Sequence, residues 1–150
     1  NPGAVNAFKA AGPVVGLAGL VLDFLKGALP VAFGYWHLHI SGVALTALII
    51  APVLGHAFSP WLRFRGGKAL AVTFGVWSGI TLWQVPVLMG AILLVTKVVL
   101  GVQEDGVCVV LALLGMMALV TLTFNSAALT LAALLTGLIV AGKHRSALGH

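Results

Sequence analysis

Apolar residues in this chain come in long uninterrupted runs, separated by short polar punctuation. Six such stretches can be marked, at Pro13–Trp36, Ile40–Ala57, Ala69–Trp83, Pro86–Leu100, Gly106–Thr123 and Ser126–Gly142. Runs such as Leu111–Val120 are apolar on every face of a helix, and the strict alternation of a membrane β-barrel is absent. A helix needs about 20 apolar residues to span a bilayer. The third and fourth stretches are short by that measure, so they extend into their flanks, tilt, or are partly re-entrant. The pattern predicts an all-α polytopic transmembrane bundle of about six helices in a single domain covering residues 1–150. It shows no internal repeat and no water-soluble domain.

Composition supports lipid as the solvent. Of the 150 residues, 61% are hydrophobic and 7% charged, whereas a soluble domain carries about 25% charge. The net charge of +5 would point to nucleic acid in a soluble chain. Here the basic residues sit between apolar stretches, as anchors at a membrane surface, and no nucleic-acid partner is implied. Their placement sets an orientation. Lys9, the Arg63–Arg65–Lys68 connection, Lys97, and the Lys143–Arg145 tail all fall on one side if there are six crossings. The opposite connections, near His37–His39, Trp83–Pro86 and Phe124–Asn125, carry no Lys or Arg. Both termini therefore read as cytoplasmic. Lys26 is the remaining cation and lies inside the first stretch. Cys108 is the single cysteine, so it forms neither an internal disulfide nor a cysteine metal site. The chain opens on Asn1 rather than Met, with no charged-then-apolar leader in its first nine residues. The expectation is that a further segment precedes it.

Three features could carry chemistry. The first is Asn1 through Lys9, where Asn1, Gly3 and Asn6 are loop-formers that can offer N–H donors to an anion. A helix is expected to begin just after it, at Gly12–Pro13, with its positive end facing the same side. The alternative is an ordinary interfacial loop. The second is Gly55–Lys68, which ends in Arg65-Gly66-Gly67-Lys68. Two glycines between two cations allow close approach of backbone to a phosphate and neutralise its charge. A positive-inside loop with interfacial aromatics is the competing reading. It is not a Walker A loop, because Leu62 and Ala69 stand where that motif needs Gly and Ser or Thr. The third is Asp23 with Lys26, three residues apart on one helix face. Charge within a membrane is costly and is paired or functional; a structural ion pair is the plain alternative. His56 sits at the mouth of the glycine–arginine loop. His37 and His39 lie on the far side and read as interfacial.

Familiar catalytic sets fail by count. Asp23, Glu104 and Asp105 are the only acids. A Ser–His–Asp triad has few possible members, and a carboxylate dyad could only be Glu104–Asp105. The His-x4-Asp acyltransferase pair is absent, since the position five after His56 is Trp61. Any catalysis would rest on anion binding and positioning.

Asn1-Pro2-Gly3-Ala4-Val5-Asn6, the following Gly12…Gly16…Leu22-Asp23-Phe24-Leu25-Lys26-Gly27, and Gly55-His56-Ala57-Phe58 through Phe64-Arg65-Gly66-Gly67-Lys68 resemble the first two signatures of the PlsY family, the bacterial acyl-phosphate:glycerol-3-phosphate acyltransferases. Lys143-His144-Arg145 resembles the opening of the third. The resemblance implies a seven-helix pattern whose first helix precedes Asn1. It implies transfer of an acyl group from acyl phosphate to the 1-hydroxyl of glycerol 3-phosphate, giving lysophosphatidic acid at the cytoplasmic face of the bacterial inner membrane. Lys68, His56 and Lys9 become the candidate catalytic residues. Asn1, Gly3, Asn6, Arg65, Gly66, Gly67, Asp23, Lys26, His144 and Arg145 become candidate binders of substrate and phosphate. No cofactor or metal is called for, and the partners are the two substrates and membrane lipid. Three departures stand out: Lys9 replaces the family's Arg, Ala69 the Gly after Gly-Gly-Lys, and Ala147 the Asn of the third signature. A non-catalytic homologue and a small transporter of a phosphorylated metabolite are the alternative readings.

Overall fold

The computed structural model describes the backbone of residues 4–145 and, among side chains before Ala10, only that of Phe8. Every regular element among the described residues is helical. These are α1 (Ala4–Ala32), α2 (Gly42–Ala57), α3 (Leu70–Thr81), α4 (Gln84–Leu94), α5 (Asp105–Phe124) and α6 (Ala127–Lys143). Single π-helical turns, Phe33–His37 and Val95–Val99, extend α1 and α4, and a 3-10 turn, Pro60–Leu62, lies in the α2–α3 connection. Each apolar run of the sequence becomes one helix. Ala10–His37, Gly42–Leu62 and Asp105–Phe124, with 28, 21 and 20 residues, are long and apolar enough to cross a membrane. The third and fourth runs are short as expected, and α6, at 17 residues, joins them.

The N-terminal patch differs from expectation. It was expected to be a loop, but the chain is helical from Ala4, and Gly12 breaks that helix with φ 83 and ψ 175. Ala4, Ala7, Lys9, Ala10 and Ala11 favour helix enough to override the loop preference of Asn6. Pro13, which has no N–H to satisfy, then starts the membrane-crossing part. The kink lays the Phe8 ring on Gly16, where a Cβ would collide with it. Asn1 and Gly3 fall outside the described residues, as do the side chains of Asn6 and Lys9.

The closest packing is between α1 and α3. Lipid tails are as apolar as leucine, so helices in a bilayer associate by tight fit rather than by hydrophobic expulsion. Small residues supply that fit. Gly75 faces the backbone of Phe24 and Ala28, and Gly79 that of Ala28 and Ala32. From the other side, Gly27 faces Val72 and Val76. Trp36 closes the far end by donating from Nε1 to the Gly79 carbonyl at 2.9 Å. Val72, Val76 and Trp77 of α3 are fully buried as a result. The other helix contacts run α3–α4–α5–α6–α2 and back to α3, and α1, laid along α3, also touches α2. Thr46 fastens α2 to α6 by donating to the Ala128 carbonyl at 3.0 Å. Outward-facing leucines and valines, such as Leu122 and Val43, stay exposed, as lipid-facing positions should.

Gly75→Leu should abolish folded, monodisperse protein, because the side chain would have to enter the α1 backbone. Gly137→Ala, where a Cβ meets nothing within 4 Å, should change stability by no more than about 1 kcal/mol. Size-exclusion profiles and thermal midpoints in detergent compare the two. Equal behaviour would mean that the α1–α3 seam does not carry the fold.

Candidate active site

The loop after α2 returns beneath that helix. Arg63 and Phe64 adopt left-handed conformations, with φ 51 and 61, and the Phe64 N–H donates to the Ser59 carbonyl at 2.9 Å. This tight turn brings Gly66 against the last carbonyls of α2, those of His56 and Ala57, so closely that a Cβ would overlap them. The Gly67 N–H donates to the His56 carbonyl at 3.2 Å. The glycine pair therefore supplies close approach to α2, and the Gly67 amide is already engaged there. What the turn delivers inward is Lys68, followed by the N-terminus of α3. The Lys143 ammonium lies 4.4 Å from the Phe58 ring centre, which fastens the end of α6 to the same loop.

These ends frame one cavity of about 1110 Å³. Its polar end is lined by Asp23, His56, Gly67, Lys68, Lys97, Asp105 and His144. Its apolar remainder runs between α1 and α4 over α3, along Leu20, Phe24, Phe74, Leu93 and Val98. Lys26 holds the polar end together from the side. Its Nζ is 2.6 Å from Asp23 Oδ1 and 2.7 Å from His56 Nδ1, while Asp23 Oδ1 is 3.3 Å from the same His56 nitrogen.

His144 is 3% exposed, and its Nδ1 donates to the Val140 carbonyl at 2.8 Å. Burial holds its imidazole below the ordinary histidine pKa. The nearby Lys68 charge acts in the same direction, and the Val140 bond partly opposes both.

The cavity gathers Lys68, His56, Gly67, Asp23 and His144 of the expected residues, with Lys26 and Gly66 directly behind them. Arg65 and Arg145 are exposed and lie outside its lining. Of the Arg65-Gly66-Gly67-Lys68 run, Gly67 and Lys68 line the cavity. Lys97 and Asp105 were not anticipated. They read from sequence as a topology anchor and a loop acid. In the structure Lys97 Nζ binds Asp105 Oδ1 at 2.7 Å and the Gln103 carbonyl at 2.9 Å, at the cavity wall.

A family model described as Glycerol-3-phosphate acyltransferase matches residues 1–150. The chain belongs to that family. It is similar to Glycerol-3-phosphate acyltransferase 1 of Thermotoga maritima, with 44% identity over 91 residues, covering 59% of this chain and 45% of the relative. It is also similar to the Yersinia pestis protein, with 38% identity over 109 residues, covering 73% of this chain and 50% of the relative. The chain thus spans about half the length of the curated relatives it matches. Crystal structures of PlsY, an integral membrane glycerol 3-phosphate acyltransferase, in its glycerol 3-phosphate and lysophosphatidic acid forms superpose with a TM-score of 0.86 at 25% identity. They cover 97% of this chain and 72% and 73% of those chains.

The position after Gly-Gly-Lys, where the resemblance calls for glycine, makes a clear backbone demand here. Ala69, which stands there, is left-handed at φ 60 and ψ 13 as the cap of α3. An L-residue pays roughly 1–2 kcal/mol for that conformation, and the methyl group, 1% exposed, returns about 0.8 kcal/mol by burial. Ala69→Gly should therefore shift stability by no more than about 1 kcal/mol, because these terms nearly cancel. Ala69→Val should be poorly folded, because a β-branched residue resists positive φ. Thermal midpoints in detergent check both; a well-folded Val variant would refute the left-handed cap.

His144 gives a pH dependence. Its folded pKa is depressed, so below about pH 6.5, the ordinary histidine value, the unfolded chain binds more protons. The stability tied to neutral His144 is complete above that pH and is lost as pH falls. Between pH 7.5 and pH 5 the wild type should lose more thermal stability than His144→Gln. Parallel pH profiles for the two would contradict this.

Proposed function

We propose that this chain moves a fatty acyl group from acyl phosphate to the 1-hydroxyl of glycerol 3-phosphate, giving lysophosphatidic acid and inorganic phosphate, at the cytoplasmic face of a bacterial inner membrane. The observation that carries this reading is the two-part cavity: cations gather at one end and an apolar channel between α1 and α4 continues from it. Acyl phosphate has that shape, a charged head on a fatty chain. It is also an activated mixed anhydride, so no nucleophilic side chain is required. The hydroxyl oxygen attacks the acyl carbon, the carbon–oxygen bond to phosphate breaks, and the phosphate leaves with the electron pair and takes up the hydroxyl proton.

The difficulty of this reaction is holding two anions close together. Lys68 and the N-terminal end of α3 offset that repulsion and meet the charge that grows on the leaving phosphate. Lys97 is a further cation on the wall. Arg65 and Arg145, exposed beside Gly67 and His144, supply longer-range attraction for anions. In this reading Asn1, Gly3, Asn6 and Lys9, which the signature resemblance implies, serve the same site. The orientation follows from the basic residues, which gather on the side of the cavity while the His37–His39 side carries none.

Lys68→Ala should lower labelled acyl transfer in membranes by on the order of 10²-fold. His37→Ala, whose side chain stacks near Phe33 at the other end of α1, should stay near wild type at matched expression. Acyl-CoA should not replace acyl phosphate, because a thioester has no leaving phosphate for Lys68 to stabilise. Inorganic phosphate should compete with acyl phosphate. Robust transfer from acyl-CoA, insensitive to phosphate, would sink the reading.

A further inference from the structure

We propose that the two imidazoles of the cavity are locked in opposite tautomers, and that Lys26 and Asp23 are positioning residues that make His56 a hydrogen-bond donor to a substrate phosphate. Each ring's partner decides which nitrogen carries the proton. An ammonium group only donates. Lys26 Nζ lies 2.7 Å from His56 Nδ1, so that nitrogen is the acceptor, and the proton of the neutral ring sits on Nε2. The other tautomer would press an N–H against an ammonium at hydrogen-bond distance. Asp23 Oδ1, 2.6 Å from Lys26 Nζ, holds the ammonium in place. Its own separation of 3.3 Å from Nδ1 is the longest of the three and needs no ring proton.

His144 is the reverse case. A backbone carbonyl only accepts, and the Val140 oxygen lies 2.8 Å from His144 Nδ1. The proton is therefore on Nδ1 and Nε2 is bare. Neither Nε2 atom has a hydrogen-bond partner among the described residues, and both residues line the cavity. The same ring atom is thus a donor at the end of α2 and an acceptor at the end of α6, a difference fixed by the bond on each ring's other nitrogen.

A phosphate oxygen needs the donor, and a hydroxyl nucleophile needs an acceptor. With Nδ1 facing an ammonium and Nε2 already protonated, His56 has no free lone pair for a substrate proton, so it acts as a donor and not as a general base. The identity of the bound phosphate rests on the acyl-transfer reading above; the tautomers do not.

Nitrogen NMR on the full chain in lipid nanodiscs, with ring-labelled histidine, reads both tautomers, using His56→Gln and His144→Gln for assignment. His56 should show a protonated Nε2 and a bare Nδ1, and His144 the opposite. Lys26→Met should move the His56 proton to Nδ1, toward Asp23, and lower acyl transfer about 10- to 100-fold. Lys26→Arg, which keeps a donor, should hold the wild-type tautomer. A wild-type His56 protonated on Nδ1, or a tautomer unchanged by Lys26→Met, would overturn the proposal. His56→Gln adds an independent check, because an amide can donate but cannot take up a proton. It should lose less than about tenfold, whereas a general base would cost about 10² to 10⁴. Wild-type protein inert toward acyl phosphate and glycerol 3-phosphate would refute the acyl-transfer reading and leave the NMR result to decide the tautomers.

Discussion

Backbone-to-backbone packing of α1 on α3 is the contact on which the rest depends. Gly27, Gly75 and Gly79 let the two helices approach where any larger residue would hold them apart. In a bilayer no hydrophobic pressure would compensate for a gap there, since lipid would fill it at little cost. The seam fixes the height and rotation of α1. That in turn places Asp23 and Lys26 beside His56 at the end of α2, which comes from another part of the chain. Because α3 is enclosed by its neighbours, its 12 residues need not span a bilayer alone.

The polar end of the cavity shows how a chain with few charges uses them. It has eight basic and three acidic residues. Asp23, Lys68, Lys97 and Asp105 line the cavity, and Lys26 braces it. Each acid there is within 2.7 Å of a lysine. Lys68 has no such carboxylate partner among the described residues, which leaves its charge for an anion. The pairing would also keep carboxylates from facing a bound anion directly. Lys97 is the complementary case: it is tethered by Asp105 and the Gln103 carbonyl, so it contributes charge from a fixed place.

Glycine has a different task at each site where it recurs. At Gly12 it breaks a helix with a positive φ. At Gly75 and Gly79 it admits another helix. At Gly66 it admits carbonyls of the preceding helix, which tucks the loop under α2 and turns Lys68 toward the cavity. The sequence reading assigned Gly66 and Gly67 to phosphate contact, and the packing of the loop against α2 is what the structure adds. The left-handed Ala69 belongs to the same turn: it carries the strain of a positive φ and buries its methyl group.

Six helices were legible in the apolar runs. Long apolar runs can satisfy their backbone in lipid only as helices, and the clustering of lysine and arginine sorts the connections. Asp23, Lys26, Gly67 and Lys68 stood out locally, because charge within a membrane and glycine between cations are conspicuous; His56 stood out by its place at the mouth of that loop, and His144 through the resemblance to a family signature. The expected N-terminal loop was the local misreading, where helix propensity outweighed Asn. Which of these residues meet is a matter of tertiary packing. Lys26 reaches His56 across 30 positions of sequence, and Lys97 and Asp105 join the wall through the packing of α4 on α5. Periodicity and charge record which face of one helix is polar. They carry no record of which polar face of another helix it meets, because that is set by how closely the backbones can approach.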